Sequence, residues 1–173
     1  MAPGRTVDLA WAQKACGLPG LPHALIGHSA GGQFLSRVAA FAPTGATRYV
    51  IANPSTWVLP SLHDAVPYGF GGAPDPASAL RAYLARPITV LLGSEDTGTD
   101  NLSSEPEAVA QGATRLARGR NAFARATAAA AQLGGRLGWT LIEVPGVGHD
   151  SGRMFGSAEA IAAFHLRAAE AVS

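Results

Sequence analysis

Four short apolar runs, at residues 24–27, 48–52, 88–92 and 139–144, constrain the fold more than anything else in this chain. None of them alternates cleanly between polar and apolar residues. Such runs read as strands covered on both faces, the habit of parallel sheets. Helical patterns separate them. Residues 33–41 place Phe34, Val38 and Phe41 on one side, and Pro43 is expected to end that helix. Residues 76–85 follow Asp75, a good N-cap. Residues 105–118 and 121–133 read as two helices divided at Gly119, and residues 157–172 as a last helix capped by Ser157. A short helix over residues 7–16, closed by Gly17 and Pro19, precedes the first strand, and residues 55–75 read as a long loop. Strands alternating with helices predict an α/β fold: an open, mostly parallel sheet flanked by helices. Function in such sheets gathers at the carboxyl ends of the strands. Four loops therefore matter: those after Gly27, Ala52, Leu92 and Val144.

The 173 residues suit a single domain, and 47% hydrophobic against 14% charged residues is enough to bury a core. A formal net charge of +1 without runs of like charge argues against nucleic acid or an anionic membrane surface as the main partner. Arg115, Arg118, Arg120 and Arg125 form the one basic cluster, expected to be a solvated helix face. Cys16 is the only cysteine, so no disulfide forms within the chain. The first residues lack the apolar core of a signal peptide, and no stretch has the length of a membrane span. The expected compartment is the cytoplasm. Gly69-Phe70-Gly71-Gly72 lacks the strand-helix setting of a dinucleotide fingerprint, and no cysteine or histidine spacing suggests zinc. No metal and no cofactor is expected.

The first loop, Gly27-His28-Ser29-Ala30-Gly31, fits G-x-S-x-G. A sharp turn between strand and helix forces the serine backbone into strain, and Gly27 and Gly31 are expected to be small for that reason. Ser29 Oγ then projects above the sheet, and the Ala30 N–H, at the start of a helix, can receive an oxyanion. A serine hydroxyl needs a base, and the base needs an orienting acid. His149, in the glycine-flanked loop after the fourth strand, is the candidate base. His28 lies within the turn itself, with its ring expected to point away from Oγ. His23, His63 and His165 sit at a strand start, in a loop and on the last helix. In the loop after the third strand Asp96 is the preferred acid, with Glu95 and Asp100 as rivals.

The segments "LIGHSAGG", "LLGSEDTGTD" and "VPGVGHD" resemble the nucleophile, acid and histidine segments of the α/β-hydrolase superfamily, in its serine esterase and lipase-like members. The likeness runs over most of the chain, and the order serine, acid, histidine matches. "YVIANPSTWVLP" and the segment from Gln111-Gly112 to Arg118-Gly119-Arg120-Asn121 resemble one bacterial and fungal branch of these hydrolases. The resemblance implies Ser29 as nucleophile, Asp96 as acid and His149 as base. It also sets an expectation that this chain breaks. The superfamily usually has four strands ahead of the serine-bearing strand, and here 23 residues precede Ala24. A loop after one of those strands normally gives the second oxyanion N–H. Gly17-Leu18-Pro19-Gly20 is the nearest flexible candidate, and one missing donor lowers the rate by about 10²–10³. The strand bearing the serine should also become a sheet edge, which invites pairing with another chain. A homo-oligomer joined through that edge is expected; the other reading is a shortened piece of a larger hydrolase.

The expected function is a serine hydrolase of small or short-chain carboxylic esters, working through an acyl-enzyme on Ser29. Peptidases and thioesterases use the same three groups. Trp57, Leu59, Tyr68, Phe70 and Met154 are candidates to line an apolar pocket, with His28 as a further substrate contact. The alternative is a catalytically impaired remnant that serves as a partner-binding or structural subunit, and a fluorophosphonate probe of Ser29 separates the two.

Overall fold

The computed structural model describes residues 9–42 and 44–165. The elements run α1 (Leu9–Ala15), β1 (Ala24–His28), α2 (Ala30–Phe41), β2 (Arg48–Ala52), α3 (Pro76–Ala85) and β3 (Ile88–Gly93). Then follow α4 (Pro106–Val109), α5 (Arg115–Gln132), β4 (Thr140–Val144), α6 (Ser151–Phe155) and α7 (Ala158–His165). Val7, Asp8, Pro43 and residues 166–172, which the sequence assigns to helices or their ends, lie outside the described residues.

Four parallel strands form one sheet in the order β1-β2-β3-β4. The register aligns Gly27 with Ile51, Ala52 with Leu91, and Gly93 with Val144, so all four carboxyl ends reach one rim. Successive residues of a strand face opposite sides. In β2, Tyr49 and Ile51 join a core with Leu35, Tyr83, Val90, Leu92 and Ala126, beneath α2, α3 and α5. Val50 and Ala52 join the other core, with Leu91, Val144, Met154 and Ala160, beneath α6 and α7. Two covered faces explain why the central runs show no alternation. β1, by contrast, is an outer strand, and Ile26 on it is 49% exposed.

The helices depart from the sequence reading in four places. α2 begins at Ala30, because the turn at Ser29 leads straight into it. Gly119 does not divide two helices but lies inside α5. A Cβ at Gly119 would meet Leu92 Cδ2 at 2.4 Å, so glycine there lets α5 close on β3. That contact offsets the ~1 kcal/mol by which glycine weakens a helix interior. Upstream, the expected helix over residues 105–118 reduces to the single turn of α4, and α5 starts afresh at Thr114, whose side chain accepts from the Ala117 N–H. α6 was not expected; Asp150 caps it by accepting from the Arg153 N–H at 2.9 Å.

The basic face also needs correction. Arg120 and Arg125 are solvated and pair with Glu143 and Asp64. Arg115 and Arg118 are each only 2% exposed. Arg118 donates to the carbonyls of Gly112, Ser55 and Ser103 at 2.8, 2.6 and 3.1 Å. Three carbonyls in place of a carboxylate tie the chain after β2 to the start of α5. Its guanidinium is held below the usual arginine range, first by desolvation and then by the nearby Arg115. Gln111 extends this scaffold: its side chain accepts from the Trp57 N–H at 2.8 Å and donates to the Trp57 carbonyl at 3.0 Å.

Candidate active site

Ser29 sits between β1 and α2 with φ 53° and ψ −119°, a conformation that only local necessity sustains in a residue with a Cβ. The Ser29 N–H donates to the Ala52 carbonyl at 3.0 Å, and the Gln33 N–H donates to the Ser29 carbonyl at 2.9 Å. The turn is thus fastened to β2 on one side and to α2 on the other. Its glycines are not equivalent. A Cβ on Gly27 would lie 2.5 Å from the Gly31 carbonyl oxygen, and one on Gly32 2.8 Å from the Ala52 carbonyl oxygen. A Cβ on Gly31 meets nothing within 4 Å, so the expected size limit applies at Gly27 and at Gly32, not at Gly31.

Beyond β3, the Asp96 N–H donates to the Gly93 carbonyl and the Glu95 N–H to the Val147 carbonyl. The Gly146 N–H donates to Ser94 Oγ at 2.9 Å. The Glu95–Val147 and Gly146–Ser94 bonds join the loop carrying Asp96 to the loop carrying His149. Across them, His149 Nδ1 lies 2.8 Å from Asp96 Oδ2, and His149 Nε2 lies 2.9 Å from Ser29 Oγ. With the Nδ1 proton donated to the carboxylate, the Nε2 lone pair accepts from the serine hydroxyl. Asp96 is 1% exposed, whereas the His149 side chain is 32% exposed. The rivals lie elsewhere: Glu95 and Asp100 are exposed, and Asp100 enters through its backbone carbonyl, which accepts from Arg115.

Two neighbours of this trio were not assigned a role from sequence. Asn53, fully buried at φ 44° just after β2, accepts the Gly93 N–H on Oδ1 at 2.9 Å and donates from Nδ2 to the Gly148 carbonyl at 3.5 Å. One carboxamide thereby holds both loops. Arg115 brings its guanidinium to 3.8 Å from Asp96 Oδ1. The signal for Asn53 lay in its place at a strand end inside a recognisable segment; nothing in the sequence pairs Arg115 with Asp96.

His28 does not stand clear of the trio. Its ring stacks on His149, with centroids 4.7 Å apart and planes at 35°, and meets the edge of Phe155 at 6.1 Å. Burial, then the neighbouring His149, holds its imidazole below the ordinary histidine range. Of the residues expected to line an apolar pocket, Trp57, Leu59, Phe70 and Met154 are buried in the two cores and Tyr68 is half-exposed. The large aromatic and sulfur side chains after β2 and β4 fill the two cores instead. For an oxyanion, Ala30 is the first residue of α2, so its N–H has no acceptor within the helix. Gly17 and Leu18 donate to Lys14 and Gln13 at the end of α1, and Pro19 has no N–H, so none of these three can be the second donor.

No protein-family model and no curated protein matches the chain. Solved structures do. Poly(3-hydroxybutyrate) depolymerase LpqC from Bordetella parapertussis is 39% identical with a TM-score of 0.76, over 82% of this chain and 49% of that one. Poly(aspartic acid) hydrolase-1 from Sphingomonas sp. KT-1 is 38% identical with a TM-score of 0.75, over 81% of this chain and 54% of that one. The chain therefore spans about half the length of the structures it matches. A four-stranded parallel sheet, a strained serine at a strand-helix turn and these two likenesses make the chain a member of the α/β-hydrolase superfamily, in a shortened form of the fold.

Proposed function

We propose that this chain is a serine hydrolase of carboxylic esters, small or short-chain ones first, with Ser29 as nucleophile, His149 as base and Asp96 as the orienting acid. The observation that carries the reading is the continuous relay of 2.9 Å from Ser29 Oγ to His149 Nε2 and 2.8 Å from His149 Nδ1 to Asp96 Oδ2. In the first half-reaction Ser29 Oγ bonds to the ester carbonyl carbon while its proton passes to His149 Nε2. The negative charge collects on the former carbonyl oxygen, beside the Ala30 N–H and the amino end of α2. His149 then returns the proton to the departing alcohol as the carbon–oxygen bond breaks, leaving an acyl group on Ser29. Water, deprotonated by His149, attacks that acyl group, and the acid product leaves with the serine hydroxyl restored. Asp96 holds the Nδ1 proton throughout and balances the imidazolium charge.

The polymers named for the two similar proteins, poly(3-hydroxybutyrate) and poly(aspartic acid), belong in the substrate test beside simple esters. A panel of p-nitrophenyl esters of increasing acyl length, with a fluorophosphonate probe of Ser29, decides the matter. Hydrolysis and labelling that both vanish in Ser29→Ala support the reading. Well-folded protein that neither hydrolyses nor labels refutes it and favours a partner-binding or structural subunit.

We also propose that a second copy covers the free edge of β1. Ile26 on that strand and Phe34 on the adjoining α2 are exposed apolar side chains, and no strand among the described residues pairs with the outer edge of β1. A dimer in native mass spectrometry is the expected result, and a monomer at high concentration contradicts it. The exposed free thiol of Cys16 suits a reducing compartment such as the cytoplasm. No helix among the described residues is long and apolar enough to cross a membrane.

A further inference from the structure

Asp96 is buried with one oxygen on His149, and among the described residues its other oxygen, Oδ1, has no hydrogen-bond partner. A carboxylate so placed has lost its water and regained one hydrogen bond, a costly arrangement unless a cation stands by. The cation present is Arg115, 3.8 Å from Oδ1 and itself buried. Its place is fixed by the fold. It is the first residue of α5, Thr114 caps that helix, the Leu116 N–H donates to the Asp96 carbonyl at 3.3 Å, and Arg115 Nη2 donates to the Asp100 carbonyl at 2.7 Å.

We propose that Arg115 is a positioning residue for the reaction, acting through Asp96: its guanidinium is the counter-cation that compensates the buried carboxylate and holds it beside His149. The inference rests on the triad reading above. The charges that meet here are Asp96 from the β3 loop, His149 and Asp150 from the β4 loop, His28 from β1 and Arg115 from α5, with Arg118 one turn further along that helix. At His28, Asp96 and Asp150 favour the protonated imidazole, while Arg115 opposes it. At Asp96, the guanidinium 3.8 Å from the unbonded Oδ1 compensates the buried carboxylate and so holds it where it orients His149.

The test compares Arg115→Gln, which keeps a donor for the Asp100 carbonyl but loses the charge, with Arg115→Lys, which keeps the charge. On p-nitrophenyl acetate, Arg115→Gln should move the acid limb of kcat/KM up by about one pH unit, the scale of a single neighbouring charge. The loss should be about tenfold on the acid side and small on the alkaline side. Arg115→Lys should restore most of the wild-type profile. Equal losses in both variants at every pH, or an unmoved limb, overturn the proposal. Thermal unfolding gives a readout independent of turnover. Arg115→Gln should lower Tm much less in an Asp96→Asn background than in the wild type, because the neutral amide needs no cation. Equal losses in the two backgrounds overturn the proposal even if the protein hydrolyses no ester, whereas an inactive wild type with unequal losses removes the triad reading alone.

Discussion

Replacing Gly27 by alanine puts a methyl group where the first turn of α2 already lies. The added Cβ would stand 2.5 Å from the Gly31 carbonyl oxygen, 2.6 Å from its carbon and 2.9 Å from the Gly32 nitrogen. All three are backbone atoms, so no side chain can turn aside, and either β1 or the start of α2 must move by most of an ångström. Overpacking of this kind costs about 1–3 kcal/mol. For a chain of this size that is a fall in Tm of roughly 2–12 °C. The movement also falls on Ser29, whose Oγ lies 2.9 Å from His149 Nε2. Under the proposed mechanism, a displacement of about 1 Å at that atom costs on the order of 10²-fold in rate. Gly31→Ala is the control. Its Cβ meets nothing within 4 Å, and alanine in the first turn of α2 should leave Tm unchanged or raise it by about 1–2 °C. Thermal denaturation and fluorophosphonate labelling of both variants measure the two effects. A Gly27→Ala protein that matches the wild type in both, or a Gly31→Ala protein that loses as much as Gly27→Ala, refutes the steric clash at Gly27.

Asn53→Ala should destabilise by about 2–4 kcal/mol, because the buried Gly93 N–H loses its acceptor and alanine must adopt a positive φ. Urea unfolding checks it, and Asn53→Gly, free of the φ penalty, should recover about 1 kcal/mol of the loss. His28 is held below the ordinary value of 6.5 by burial, so the unfolded chain binds its proton more readily than the native one. Stability therefore falls as pH drops through 6.5 and stops falling, on this group's account, below its native value. His28→Phe keeps the stacking on His149 and removes the proton site, so its Tm should drop less between neutral and mildly acid pH; parallel Tm profiles would remove His28 as a source of acid sensitivity.

The parallel sheet could be read from the sequence because β2 and β3 are buried on both faces, and burial on both faces is what suppresses alternation. The trio of Ser29, Asp96 and His149 could be found because each stands just past a strand, and parallel strands deliver their ends to one rim. Boundaries that depend on packing could not. Gly119 looks like a helix break until Leu92 is seen beneath it. Arg115 and Arg118 look solvated until the chain after β2 and the acid loop fold over them. Trp57 and Met154 were expected to line a pocket because aromatic and sulfur side chains suit both a core and a substrate, and only their neighbours distinguish the two.

The most direct measurement is rapid-quench intact mass spectrometry during reaction with p-nitrophenyl acetate. The expected result is one acetyl group per chain, on the peptide bearing Ser29, formed more slowly in His149→Ala and absent in Ser29→Ala. Release of p-nitrophenol without any acetylated chain, or acetylation that persists in Ser29→Ala, contradicts it.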